Sequence, residues 1–178
     1  MVTKLTLSII PSKEVADLTR EIVELECFKR LIGGTFVINE SSLGCHATLL
    51  APVVYPDVID LKTLEDKYTL SESFLDNIIL IPNVSIFGNY IKIDLSNRIS
   101  QELLNLRTKF YRDYNTHHSE INIPLHLTLG TITQKLKEES LLSLNQKLSE
   151  QLRQINLRDA KICFFKKDQD KKWQNISI

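Results

Sequence analysis

Apolar and polar residues alternate from Lys4 to Ile10 with the two-residue period of a strand, until Pro11-Ser12 supplies a turn and a helix N-cap. The period then lengthens. Val15, Leu18, Ile22, Leu25 and Leu31 recur at helical spacing while Lys13, Glu14, Asp17, Arg20, Glu21 and Glu24 fill the other face, which predicts an amphipathic helix stopped by Gly33-Gly34. A short apolar run from Thr35 to Ile38 precedes a predicted strand over Leu43 to Val54, closed by Pro52 and Pro56. Asp57 to Tyr68 reads as a shorter helix or an irregular covering segment.

The stretch from Asn77 to Leu95 predicts two strands, Ile78 to Phe87 and Tyr90 to Leu95, joined at Gly88-Asn89, a dipeptide that accepts positive φ at a tight turn. Pro82 lacks a ladder donor and predicts a break or an edge in the first of them. Ser96 is the expected cap of a second long helix reaching about Tyr114, with Ile99, Leu103, Leu106 and Phe110 as its buried stripe. A polar loop from Asn115 to Asn122 carries His117-His118, and Ile123 to Ile132 is a strand. Thr133 opens a third helix with Leu136, Leu141, Leu144, Leu148 and Leu152, and the stretch from Ile155 through Phe165 to Ile178 reads as a final hairpin turning near Asp168 to Asp170.

This order of elements predicts an α+β fold, one domain over residues 1–178, with mostly antiparallel sheets and helices packed outside. Its two halves share a plan: each has a long amphipathic helix followed, after a polar connection, by a strand containing His-x-Thr-Leu.

Composition narrows the partners. The 178 residues are 43% hydrophobic, enough for a core, and the 22 Lys+Arg balance 22 Asp+Glu. Zero net charge argues against long nucleic acid, which needs a basic surface to displace counterions; small anionic ligands need only local positive charge. Cys27, Cys45 and Cys163 are odd in number, widely spaced and form no CxxC, which points to a reducing, cytoplasmic setting rather than a disulfide framework or a cysteine zinc site. The start of the chain lacks a signal-peptide pattern, and no apolar run approaches the roughly 18 residues of a membrane span, so no membrane role is expected. No stripe demands an oligomer, and a monomer is the default.

The candidate chemistry lies in His46-Ala47-Thr48-Leu49 and His126-Leu127-Thr128-Leu129. On a strand, residues two apart share a face, so His126 and Thr128 project together while Leu125, Leu127 and Leu129 point to the core. His46 and Thr48 stand likewise against Cys45, Ala47 and Leu49. An imidazole titrates near neutrality, and a hydroxyl donates a hydrogen bond without adding charge. Two such pairs across a cleft would set one histidine to take a proton from an attacking oxygen and the other to protonate the departing one, with the hydroxyls holding non-bridging phosphate oxygens. This chemistry requires neither metal nor cofactor.

With these motifs the chain resembles the two-histidine (2H) phosphoesterases, which carry two His-x-Thr/Ser-apolar motifs in two pseudo-symmetric lobes. The spacing of His46 from His126 and the strand-helix opening of each half fit along nearly the whole chain. Members include RNA 2′,5′-ligase-like proteins, enzymes that degrade 2′,5′-oligoadenylate, and the eukaryotic cyclic phosphodiesterases of tRNA splicing. Ile10-Pro11, the Val84 to Leu95 hairpin, the Asn122 to Gly130 run and Trp173 lean toward the last branch. The resemblance implies that His46 and His126 are acid and base and that Thr48 and Thr128 bind phosphate. Leu50 stands where ligase-like members often have Arg, which counts against that branch.

The expected activity is hydrolysis of a nucleotide cyclic phosphate, of the 2′,3′ or ADP-ribose 1″,2″ type. Cleavage of 2′,5′-linked or cyclic oligonucleotide signals, or nucleotide binding without turnover, are the alternatives. The partner is then a small nucleotide or short oligonucleotide, whose base needs an aromatic face: Tyr55, Phe87, Tyr90 and Trp173 are the candidates, with Phe165 behind them. Tyr55 stands out because it follows the first motif's strand in a Pro-bounded loop. His117-His118 and the Lys166-Lys167 and Lys171-Lys172 pairs read as solvated, and alternation turns the Cys45 thiol away from His46.

Overall fold

The computed structural model describes residues 3–26, 28–29, 36–38, 45–55, 60–71, 73–95, 100–116, 121–132, 138–151, 155–168 and 172–177. Two open antiparallel sheets form from β1 (Thr3–Ile10), β2 (Phe36–Ile38), β3 (Ala47–Tyr55), β4 (Ile79–Phe87), β5 (Tyr90–Leu95), β6 (His126–Ile132), β7 (Ile155–Asn156), β8 (Lys161–Asp168) and β9 (Gln174–Asn175). The first sheet has the order β3-β1-β8-β9 and the second β2-β6-β5-β4-β7. Four α-helices are described: α1 (Lys13–Glu24), α2 (Leu61–Lys67), α3 (Gln101–Asp113) and α4 (Glu138–Gln151). None is long and apolar enough to cross a membrane.

Local rules place most of these elements. Ser12 caps α1 by accepting from the Val15 amide, and Val15, Leu18 and Ile22 are buried along its inner stripe. The helix is shorter than its apolar spacing predicts. Leu25 leaves helical geometry at ψ 132, and the helical turn that follows buries Phe28 completely; Phe28 lies six residues beyond Ile22 and would fall off the stripe of an unbroken helix. Leu31 and Gly33-Gly34 lie outside the described residues, as do Leu43, Pro56, Ile99, Leu136, Leu152 and His117-His118.

Ser96 and Thr133 also fall outside them, so the expected helix starts there are not described. The cap that α3 shows is Ser100, accepting from Leu103 N at 3.2 Å. The hairpin turns at Gly88 with φ +58, a backbone value that glycine adopts without strain. Pro82 interrupts the β4–β5 register between Leu80 and Val84, and Asn145 of α4 covers the exposed edge there, bonding to both N (2.7 Å) and O (2.9 Å) of Val84. The region from Ile155 on is not one hairpin. It gives β7 to the second sheet, crosses near Leu157–Ala160, and gives β8 to the first, where β8 and β9 pair as expected.

One side chain joins the sheets. Arg107 on α3 is 4% exposed; its Nε donates to Leu49 O (2.9 Å) and its Nη1 to Ile121 O (3.0 Å) and Ile123 O (2.7 Å). One turn further along α3, the Tyr111 hydroxyl accepts from Ala51 N at 2.9 Å. These two side chains satisfy the outer edge of β3, which has no strand neighbour there among the described residues, and fix it to the segment that leads into β6. Replacing Arg107 with Met orphans buried carbonyls, and urea denaturation is expected to show a loss of about 3 kcal/mol. A loss within experimental error of zero would remove Arg107 from this role.

Candidate active site

The Arg107 clamp sets the level of both His-x-Thr motifs. Leu49 O and Ile123 O lie within about 8 Å of each other, the reach of one guanidinium plus two hydrogen bonds. Because Arg107 meets Leu49 and Tyr111 meets Ala51, α3 runs in the same direction as β3. Backward from Leu49 the chain reaches Thr48 and His46, toward the N-terminal end of α3. Forward from Ile123 it heads the same way, since Leu125 shares a small pocket with Leu103 and Ser100 at that end. Both motifs thus extend from the clamp in one direction, on strands that touch across the two sheets.

Alternation holds within each motif. His46, Thr48, His126 and Thr128 are half-buried, while Ala47, Leu49 and Leu127 are fully buried and Leu125 and Leu129 nearly so. Cys45 points to the helix side: its Sγ accepts from Thr19 Oγ1 of α1 at 3.7 Å, and burial pushes the thiol pKa up. On the other side of β1–β3, Ser8 stands opposite Thr48 and is fully buried, its Oγ without a hydrogen-bond partner among the described residues.

The second sheet adds groups that the sequence reading passed over. Register places Asp94 of β5 opposite His126 and Lys92 opposite Thr128. Lys92 Nζ donates to Asp94 Oδ1 (2.9 Å), Asn83 Nδ2 to Asp94 Oδ2 (2.9 Å) and Ser85 Oγ to Asp94 Oδ1 (3.1 Å). A polar row therefore crosses β6, β5 and β4. The signal was present in Tyr90–Leu95, where Tyr90, Lys92 and Asp94 alternate with buried Ile91, Ile93 and Leu95; what it lacked was the identity of the neighbouring strand. A register shift between Ile91 and Lys92 marks a bulge in β6 just beyond Thr128.

His126 has a defined tautomer. Its Nδ1 lies 3.0 Å from Pro124 O, a group that can only accept, so Nδ1 carries the hydrogen and the neutral ring presents an unprotonated Nε2. Burial holds its pKa below the ordinary 6.5, with Lys92 and Arg107 pushing the same way and the Pro124 carbonyl and Asp94 opposing them.

The aromatic candidates divide. Phe87 and Tyr90 pair at the tip of the β4–β5 hairpin, 46% and 51% exposed, and alternation puts them on the face of Ser85 and Lys92. Tyr55 is not beside the first motif. It closes β3 opposite Thr3, nine residues and about 30 Å of strand from His46, with its ring 5.5 Å from that of Tyr114. Trp173 leads into β9 at the same distant end of the first sheet, and Phe165 is buried. Among the described residues, no group of three or more His, Cys, Asp or Glu side chains is arranged to hold a metal ion.

The fold defines an α+β protein with two open antiparallel sheets. It is similar to the crystal structure of a conserved protein of unknown function from Agrobacterium tumefaciens str. C58, at 11% sequence identity and a TM-score of 0.55, over 100% of this chain and 86% of that one. At that identity the likeness is one of fold. No protein-family model and no curated protein matches the chain.

Because the folded pKa of His126 is depressed, the unfolded chain binds the extra proton first as pH falls below 6.5, so the stability carried by this ring is complete above that pH and is lost as pH drops toward the folded value. NMR titration of the ring is expected to give a midpoint below that of a solvated histidine; a midpoint at or above 6.5 would contradict the burial described here.

Proposed function

We propose that this chain is a metal-independent phosphoesterase with the two-lobed plan of the 2H phosphoesterases, opening a cyclic phosphate on a small nucleotide. The observation that carries the reading is the Arg107 clamp, which ties the strands of both motifs together and sends each His-Thr pair from it in the same direction. In the proposed reaction a water oxygen attacks phosphorus while Nε2 of His126 takes its proton. The ester bond to the ribose oxygen breaks, and His46 delivers a proton to that oxygen, leaving a phosphomonoester. Thr48 and Thr128 hold the non-bridging oxygens as charge builds on them.

His126 is given the base role because burial favours its neutral ring, and the Nδ1 contact to Pro124 O makes Nε2 the lone-pair nitrogen of that ring. The acid role then falls to His46. Phe87 and Tyr90 offer the exposed faces on which a base can stack, and the balanced charge of the chain suits a small substrate over a long polyanion.

The test is turnover of a nucleoside 2′,3′-cyclic phosphate and of ADP-ribose 1″,2″-cyclic phosphate in excess chelator. Replacing His46 or His126 with Ala is expected to lower kcat by about a thousandfold with the fold retained by circular dichroism. Wild-type protein without turnover, or variants with unchanged rates, would overturn the proposal. Tyr90→Ser is expected to raise KM about tenfold at nearly constant kcat, because the ring is half exposed and contributes stacking rather than core packing.

A further inference from the structure

Lys92 is an unusual lysine. Its side chain is 12% exposed on a strand face that also holds a histidine and a threonine, and among the described residues its ammonium has one hydrogen-bond partner, Asp94 Oδ1. An ammonium has three donors, so with one of them on Asp94 two are left for water or a ligand. Its partner, by contrast, is well served. Asp94 receives Asn83 on one oxygen and Ser85 together with Lys92 on the other, so the carboxylate holds the ammonium in one place without needing further donors.

The two remaining donors belong to a group opposite Thr128 in the β5–β6 ladder, while Asp94 is opposite His126. An oxyanion seated at the Thr128 hydroxyl therefore lies next to the ammonium. Lys92 supplies the positive charge that a histidine and a threonine lack, since the imidazole on this strand is neutral and the hydroxyl uncharged.

We propose that Lys92 binds a non-bridging phosphate oxygen beside Thr128, and that Asp94, itself fixed by Asn83 and Ser85, is the positioning residue for that ammonium. The proposal rests on the phosphoester reading and adds its anion-binding cation. In the free protein the pair is charge-balanced. An incoming phosphate takes up the two remaining donors, and its negative charge is met at the oxygen rather than by the surface as a whole. The groups that bear on His126 are then Lys92 and Asp94 from β5, Arg107 from α3 and the Pro124 carbonyl.

Two measurements test this. Inorganic phosphate is titrated into the protein while the His126 ring is followed by NMR. Wild type is expected to show saturable shifts, Lys92→Met to weaken the affinity at least tenfold, and Lys92→Arg to recover most of it. In steady-state kinetics with the cyclic phosphate, Lys92→Met is expected to lower kcat/KM about a hundredfold. The acidic limb of its pH profile should move to higher pH, because a neighbouring cation is gone, whereas Asp94→Asn should move that limb to lower pH. A merely structural role would not shift the limb in opposite directions. Turnover by wild type with phosphate binding and pH limbs unaffected in Lys92→Met would overturn this inference alone. Absence of turnover in wild type would overturn the phosphoester reading, and the phosphate titration would still decide whether Lys92 binds the anion. Should Lys92→Met unfold, Lys92→Gln takes its place in both arms.

Discussion

A guanidinium taken almost wholly out of water is tolerable only when its donors are met, and Arg107 meets them with backbone carbonyls from two different parts of the chain. Leu49 belongs to the edge of one sheet; Ile121 and Ile123 lead into the interior of the other. The planar fork fixes the angle between these groups as well as their distance. Everything proposed for the two histidines depends on that geometry, because each histidine lies three residues from a carbonyl the fork holds. Arginine is needed here for its shape as much as its charge.

The polar face of the second sheet follows from ordinary strand alternation with one added condition. Its lysine and aspartate are nearly hidden, and so they must satisfy each other and recruit Asn83 and Ser85. A half-buried row of this kind contributes little to stability compared with an apolar row of equal size. Its presence next to the second motif is easier to explain by binding than by packing.

What could be read from the sequence was whatever depends on neighbours within a few residues. The α1 stripe, the Gly88 turn, the break at Pro82 and the in-and-out alternation of both motifs are set by local sterics and periodicity, and all were legible. Strand pairing was not, because it is decided by contacts far along the chain. The split of the region after Ile155 between two sheets left no local mark, nor did the pairing of Lys92 with Thr128. Tyr55 shows the same limit from another side: closeness in sequence to His46 suggested closeness in space, but an extended strand carries nine residues farther than the width of most ligands. Leu25 ends a helix whose spacing looked continuous, and Phe28 beyond it is fully buried.

The first sheet carries a further consequence through its central pair. β1 is flanked by β3 on one side and by β8 on the other, and Thr3 Oγ1 donates to Asp168 Oδ1 at 3.0 Å across nearly the full numbering. During synthesis, β1 must wait with one edge bare until residues 161–168 have left the ribosome. Pairings of such long range are slow to close and leave a template for unwanted strands meanwhile. Shortening the chain before β8 would thus harm solubility well before it touched either histidine.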